Sequence, residues 1–268
     1  MVSALTGDVS HPFAVVEKAL QVADLRGTQL EAAAQFVGVV AAMRDGDYVR
    51  TADLADACVT TARVVDEPGW EASALALRIV AQPADTYDER TLDDLVRAEA
   101  ALQRCTDECL TWSAHITLGL AYQSQRLFEL AIIHQQAALE GPDEPFGVRA
   151  SRLLPLLHLG ETHLHWADEL EQIGDSRHAH AVQEHRWLAA ELAREAAEVG
   201  EADGADPAFL NEARMLELCA SWEDDPNEAA DELGASVEGA VSAGFTDHVQ
   251  DHRARLAQIY AAKGQTDR

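Results

Sequence analysis

Histidine is the residue whose type and spacing in this chain come closest to chemistry. His158, His163, His165, His178, His180 and His185 fall within 28 residues, and His134 stands a short way before them. On a helix, His158, Glu161 and His165 are three and four residues apart in turn, so they share one face. In the following predicted helix Arg177 and His178 occupy the first turns, and His185, seven after His178, lies on the same side. Antiparallel packing would bring the two faces together. Imidazole with carboxylate is a donor set for zinc or iron, so a metal sensor or metal-dependent enzyme is one reading. The others are a recognition groove lined by histidine, or plain surface and packing. Residues two apart, such as His163 and His165, point about 200° apart around a helix. No third and fourth ligand of fixed geometry is evident, so no tightly bound metal and no cofactor are expected.

Signatures of catalysis are otherwise missing. The chain has no Gly-rich phosphate loop, no G-x-S-x-G, no H-E-x-x-H and no Lys-bearing nucleotide motif. No catalytic residue is assigned, and an enzyme is not expected. Cys58, Cys105, Cys109 and Cys219 form no C-x-x-C pair and read as buried free thiols. Trp112, Trp166, Trp187 and Trp222 lie on predicted helices and Trp70 opens one. Such residues are core more often than ligand cage, although Trp166 and Trp187 flank the histidines and favour a recognition surface there.

Charge narrows the partners. The formal net charge of −27 excludes phosphate-driven nucleic-acid binding and anionic membrane surfaces. From Glu195 to Glu232 there are thirteen acidic residues and one basic residue, Arg214. Such a surface reads either as a means of solubility or as the attraction of a basic partner. No apolar run reaches the roughly 18 residues that would span a bilayer. Met1 to Pro12 lacks the pattern of a signal peptide, and a cytoplasmic location is expected.

The elements that position these residues are helices. Apolar residues recur at helical spacing almost everywhere, with no sustained strand-like alternation. The pattern predicts helices over 12–25, 28–44, 47–66, 70–82, 89–104, 107–124, 127–140, 147–172, 176–199, 207–222, 226–243 and 247–263. Gly27-Thr28, Asp45-Gly46-Asp47, Pro68-Gly69, Gly141-Pro142-Asp143, Asp175-Ser176 and Asp206-Pro207 supply stops, caps and first-turn prolines. Short turns make successive helices antiparallel neighbours.

Small residues recur where such helices would touch. Leu118-Gly119-x-x-Tyr122 is followed by Ala131 and Ala138, and Leu256-Ala257-x-x-Tyr260 by Gly264. Gly119 and Ala131 are expected where the helices over 107–124 and 127–140 cross. This spacing, best over His115 to Pro142, resembles the tetratricopeptide repeat. His115 stands where that family prefers Trp, Gln135 stands where a large aromatic is usual, and Pro142 arrives one residue early. Leu159-Gly160 repeats the Leu-Gly pair about 41 residues on, beyond the usual 34. The resemblance implies an all-α fold, a right-handed α-solenoid of about six antiparallel helix pairs, as a single domain over 1–268.

A solenoid of this kind recognises a protein or peptide on the surface lined by the first helix of each pair. His115, Gln123, His158, Thr162, His165 and Arg214 are the candidate groove residues. The divergent repeats and Ala-rich acidic composition also resemble the N-terminal helical-repeat region of actinobacterial signalling proteins, several of which carry a diguanylate cyclase (GGDEF) domain. That resemblance implies a regulatory or sensory role. Repeat regions of bacterial transcription activators are the competing context. The final Tyr260-x-x-x-Gly264 turn reads as a first helix lacking its partner, as in a fragment of a longer protein. Leu256, Ile259 and Tyr260 are then expected to lie exposed and to form an interface, with a second copy as the cover in a homodimer.

Overall fold

Helices occupy most of the described residues, and no strand occurs among them. The computed structural model describes residues 25–82, 89–147, 152–222, 226–242 and 249–262. The fold class is all-α. By internal contacts the chain divides into two compact units, Met1–Ser151 and Arg152–Arg268.

The first unit contains α1 (Gln29–Arg44), α2 (Tyr48–Val64), α3 (Pro68–Val80), α4 (Glu89–Leu102), α5 (Glu108–Ser124) and α6 (Phe128–Leu139). A short 3₁₀ turn, Pro145–Gly147, follows. The second unit contains α7 (Leu153–Ile173), α8 (Ala179–Asp203), α9 (Pro207–Ser221), α10 (Pro226–Ser242) and α11 (Val249–Ala262). These match the expected helices to within a few residues at most ends. The helix expected over 12–25 lies outside the described residues.

Local chemistry sets the ends. The Thr28 side chain accepts from the Glu31 backbone N–H, Asp47 from that of Arg50, Asp107 from that of Leu110 and Asp206 from that of Ala208. Each satisfies a backbone donor that the first helical turn leaves unpaired. Pro68 and Pro207 stand in first turns, where a missing N–H costs nothing. Gly174 and Gly204 close α7 and α8 in the left-handed conformation. Two boundaries differ from expectation. The helix expected from 147 is described from Leu153, and Pro145–Gly147 form a separate turn in which Phe146 takes a left-handed backbone (φ 55°, ψ 22°). The helix expected to end at 199 runs on to Asp203. Gly200 stays helical there, and a Cβ on it would lie 2.7 Å from Leu210 Cδ2.

Packing within each unit follows one rule. Neighbouring helices pack in sequence, and alternate helices also touch: α1 with α3 and α3 with α5, then α7 with α9 and α9 with α11. The first helices therefore form the inner row of each unit. In the first unit they begin at Gln29, Pro68 and Glu108, a period of about 40 residues against the 34 of a tetratricopeptide repeat. The middle one, α3, is buried around its whole circumference from Gly69 to Ile79, as expected of a helix surrounded by others.

Small residues make the contacts close. Ala32, Ala55, Ala62, Ala98, Ala121 and Ala131 all lie in the first unit's core. Gly119 and the fully buried Ala131 do stand at the packing of α5 and α6. A Cβ on Gly119 would lie 2.7 Å from Gln135 Cγ, so Gln135 fills the place where the repeat family uses an aromatic ring. Gly160 repeats the device in the second unit, with Leu216 Cδ2 2.8 Å from where its Cβ would be.

Burying α3 on all sides also buries Arg78. Its guanidinium, 9% exposed, closes on Asp94, 1% exposed, and on the half-exposed Asp56. The Nε–Oδ2 distance to Asp94 is 2.9 Å. The bidentate geometry lets a charge sit in the interior with its donors satisfied.

Candidate functional site

Among the described residues two pairs of imidazoles meet, one in each unit, and each pair joins a first helix to the second helix that follows it. In the first unit His115 of α5 and His134 of α6 place their Nδ1 atoms 3.0 Å apart. His134 Nε2 lies 2.8 Å from Glu99 Oε1 of α4. The Tyr122 hydroxyl donates to the same carboxylate oxygen at 2.7 Å, and its ring stacks on His134 at 5.3 Å and 18°. The Glu99 carboxyl is held below its usual range, first by the hydrogen bond from His134, with Tyr122 adding to it against the opposing effect of burial.

An ionised Glu99 can only accept. In the neutral pair His134 therefore carries its proton on Nε2 and its lone pair on Nδ1. His115 then donates from Nδ1. The result is a directed line, imidazole to imidazole to carboxylate, with the lone pair of His115 left on Nε2. Burial pulls His115 down to about 4, and the His134 charge adds to this. Such a line can pass or store a proton and can orient a polar ligand.

A second imidazole pair stands in the second unit. His163 of α7 and His185 of α8 place their Nδ1 atoms 2.9 Å apart. Trp166 stacks on the His185 ring at 4.2 Å and 24°. Burial holds His163 down at about 4, with His185 as the smaller cause.

The expected histidine cluster thus divides. His158 pairs locally with the buried Glu161, Nδ1 to Oε2 at 3.1 Å, as their spacing requires. The residue that meets His185 of α8 is His163, which points about 200° round α7 from His165. His165 is half-buried, as is His178, and His180 is exposed. Among the described residues no three His, Cys, Asp or Glu side chains converge as a metal-ligand group.

The other candidate groove residues are placed as follows. Gln123 is buried, and the Gln135 amide donates to its Oε1 at 3.5 Å. Thr162 is 0% exposed and donates to the His158 carbonyl at 2.9 Å. Both are interior residues, which corrects the expectation that they line an open surface. Arg214 is exposed on α9, but its guanidinium joins Glu217 at 2.6 Å and Glu232 of α10 at 2.5 Å. Its charge serves to hold α9 to α10.

The last helix also departs from expectation. Ile259 is 0% exposed and lies in the second unit's core with Leu216, Cys219 and Leu233, and Leu256 and Tyr260 pack partly buried against the same core. Residues from α9 and α10 cover the face that was expected to lie open. The buried Arg255 adds an ion pair to Asp168 of α7.

A second constellation gave no motif in the sequence. Phe36 of α1, Trp70 of α3 and Trp112 of α5, one aromatic from each first helix, gather in the first unit. Phe36 and Trp70 are 4.8 Å apart. Phe146, from the turn after α6, stacks on Trp70 at 6.0 Å and 14° and meets Trp112 edge-on at 6.5 Å. The Trp112 indole N–H is buried with no acceptor among the described residues. The repeat period of about 40 residues, carried from Trp70 to Trp112, is the signal that could have grouped two of them.

No known family profile matches the chain, and no curated protein shows significant similarity to it.

Proposed function

We propose that the chain is a tetratricopeptide-like recognition domain, with helix pairs stacked as a right-handed α-solenoid. It binds a protein or peptide segment and serves as a regulatory region in bacterial signalling, with a diguanylate cyclase domain as the output it controls. It is a binding module and not an enzyme, and it works in the cytoplasm without nucleic acid or membrane. What supports the reading is the packing of α1, α3 and α5 on one another, each flanked by its second helix, at a period near 40 residues. The Leu118-Gly119-x-x-Tyr122 signature adds to this, since Gly119 stands where its helix meets the next. Stacked pairs of this kind form extended recognition surfaces; in the first unit α1 and α5 keep part of their length exposed, while α3 is buried all round. The net charge of −27 favours a basic segment as the occupant.

The test is selection of a random peptide library on the purified chain, followed by hydrogen-exchange mapping of the selected peptides. The expected result is basic peptides that protect the first helices. Failure to select any peptide, or protection confined to the second helices, would overturn the proposal.

A further inference from the structure

We infer that the recess framed by Phe36, Trp70 and Trp112 is an anchor pocket for an aromatic side chain of a basic peptide, and that Phe146 fills it as an internal stand-in. This rests on the recognition reading and says which side chain is recognised and where. The first observation is topological. The three aromatic residues come from α1, α3 and α5, the row of helices that a repeat domain uses for binding, while Phe146 comes from the turn beyond α6. It covers Trp70 by stacking and Trp112 by its edge, the geometries that aromatic recognition uses.

The second observation is strain. Phe146 holds φ at 55°, a left-handed backbone that a bulky side chain rarely adopts. Its ring is kept in the recess against that local preference, as expected of a contact that a better ligand displaces. The third is an unmet donor. The Trp112 indole N–H is buried without an acceptor among the described residues, and Phe146 has no side-chain acceptor to offer it. A peptide that replaced Phe146 would bring backbone carbonyls to this position.

The charge around the recess selects the peptide. Glu67 precedes Trp70 by three residues, and its carboxyl is pushed up by burial and by the charges of Asp107 and Asp66, so these three acids share one locality. Asp66 is 90% exposed and already lies 3.7 Å from Arg104 Nη1, so Glu67 and Asp107 carry the charge of this locality. Asp143 and Glu144 stand exposed immediately before Pro145 and Phe146. The guanidiniums of Arg63 and Arg104 already close on the buried Glu71, at 2.6 and 2.8 Å. A Lys- or Arg-bearing peptide with one aromatic anchor complements this rim.

The experiment uses a fluorescent Lys-rich peptide with one central Phe, and the same peptide with Ala in its place, titrated by anisotropy against the parent chain and Phe146→Ala. The expected result is a gain of about tenfold or more for the Phe peptide on Phe146→Ala, no gain for the Ala peptide, and loss of the gain in Trp70→Ala Phe146→Ala. Equal affinities for parent and Phe146→Ala, or an equal gain for both peptides, would overturn the inference and leave Phe146 a core residue. If Phe146→Ala loses helical circular dichroism, Phe146→Leu, which keeps apolar cover without the ring stack, is measured to the same two outcomes. Library-selected peptides that protect the first helices but are unaffected by Phe146→Ala would preserve the recognition reading and remove this inference alone.

Discussion

Acidification should weaken the helix pairs joined by the two imidazole couples. Burial holds His115 and His163 at about 4 in the fold, against an ordinary 6.5. A histidine depressed in this way contributes no pH dependence above about pH 7, where it is neutral in both states. As pH falls through 6.5 the unfolded chain takes up a proton that the folded chain refuses, so stability drops until about pH 4 is reached. At about pH 5 the linkage amounts to roughly 2 kcal/mol per histidine, at about 1.36 kcal/mol per unit. Residual solvent screening at these rings cuts this by about half, to near 1 kcal/mol each. The net charge of −27 acts in the opposite direction, because protonating carboxylates relieves self-repulsion. The quantity to measure is therefore a difference between proteins. Urea unfolding followed by circular dichroism, from about pH 7.5 to 5, would be run on the parent, His115→Gln and His163→Gln. Relative to each variant the parent should lose about 1 kcal/mol more over that range, with no divergence above pH 7. Parallel pH profiles would refute the reasoning, because the imidazoles would then protonate in place without resistance.

Four further outcomes follow from the packing. Gly119→Leu drives a side chain into Gln135 and should cost roughly 1–3 kcal/mol, read as a lower urea midpoint; a variant that unfolds like the parent would place the α5–α6 contact elsewhere. Asp94→Asn strips the buried Arg78 of its bidentate partner and should cost about 3 kcal/mol, whereas Asp56→Asn, at the half-exposed end of the same guanidinium, should cost less than about 1; equal costs would contradict the burial difference. Ile259→Glu puts a carboxylate into the second unit's core and should destabilise by about 3 kcal/mol or more; a change in light-scattering mass with unchanged stability would mean that α11 is an interface after all. Cys58, buried and with its thiol pushed up to about 12, should alkylate only in denaturant, as should the buried Cys219, while the part-exposed Cys105 and Cys109 should react in the native chain; early labelling of Cys58 would show that the α1–α2 contact opens readily.

Much of this protein was decided locally and is legible in the order of its residues. Thr28, Asp47, Asp107 and Asp206 cap helices because a short side-chain oxygen reaches backbone donors within its own turn, wherever that turn lies in space. Pro207 and Gly174 mark a start and a stop through backbone geometry alone. The apolar period of 3.6 carries the helices between them, and Leu118-Gly119 marks a close crossing because glycine there has no other local use. Side-chain partnerships between helices needed the tertiary structure. Packing angle and axial offset set them, and neither is written in a single helix. His163 stands about 140° round α7 from His158 and about 200° from His165, and the packing of α7 on α8 selects His163 to meet His185. The same freedom made Gln123 and Thr162 interior residues and closed α9 and α10 over Ile259. It also gathered Phe36, Trp70 and Trp112 beneath Phe146, joining residues far apart in the chain through the stacking of three first helices.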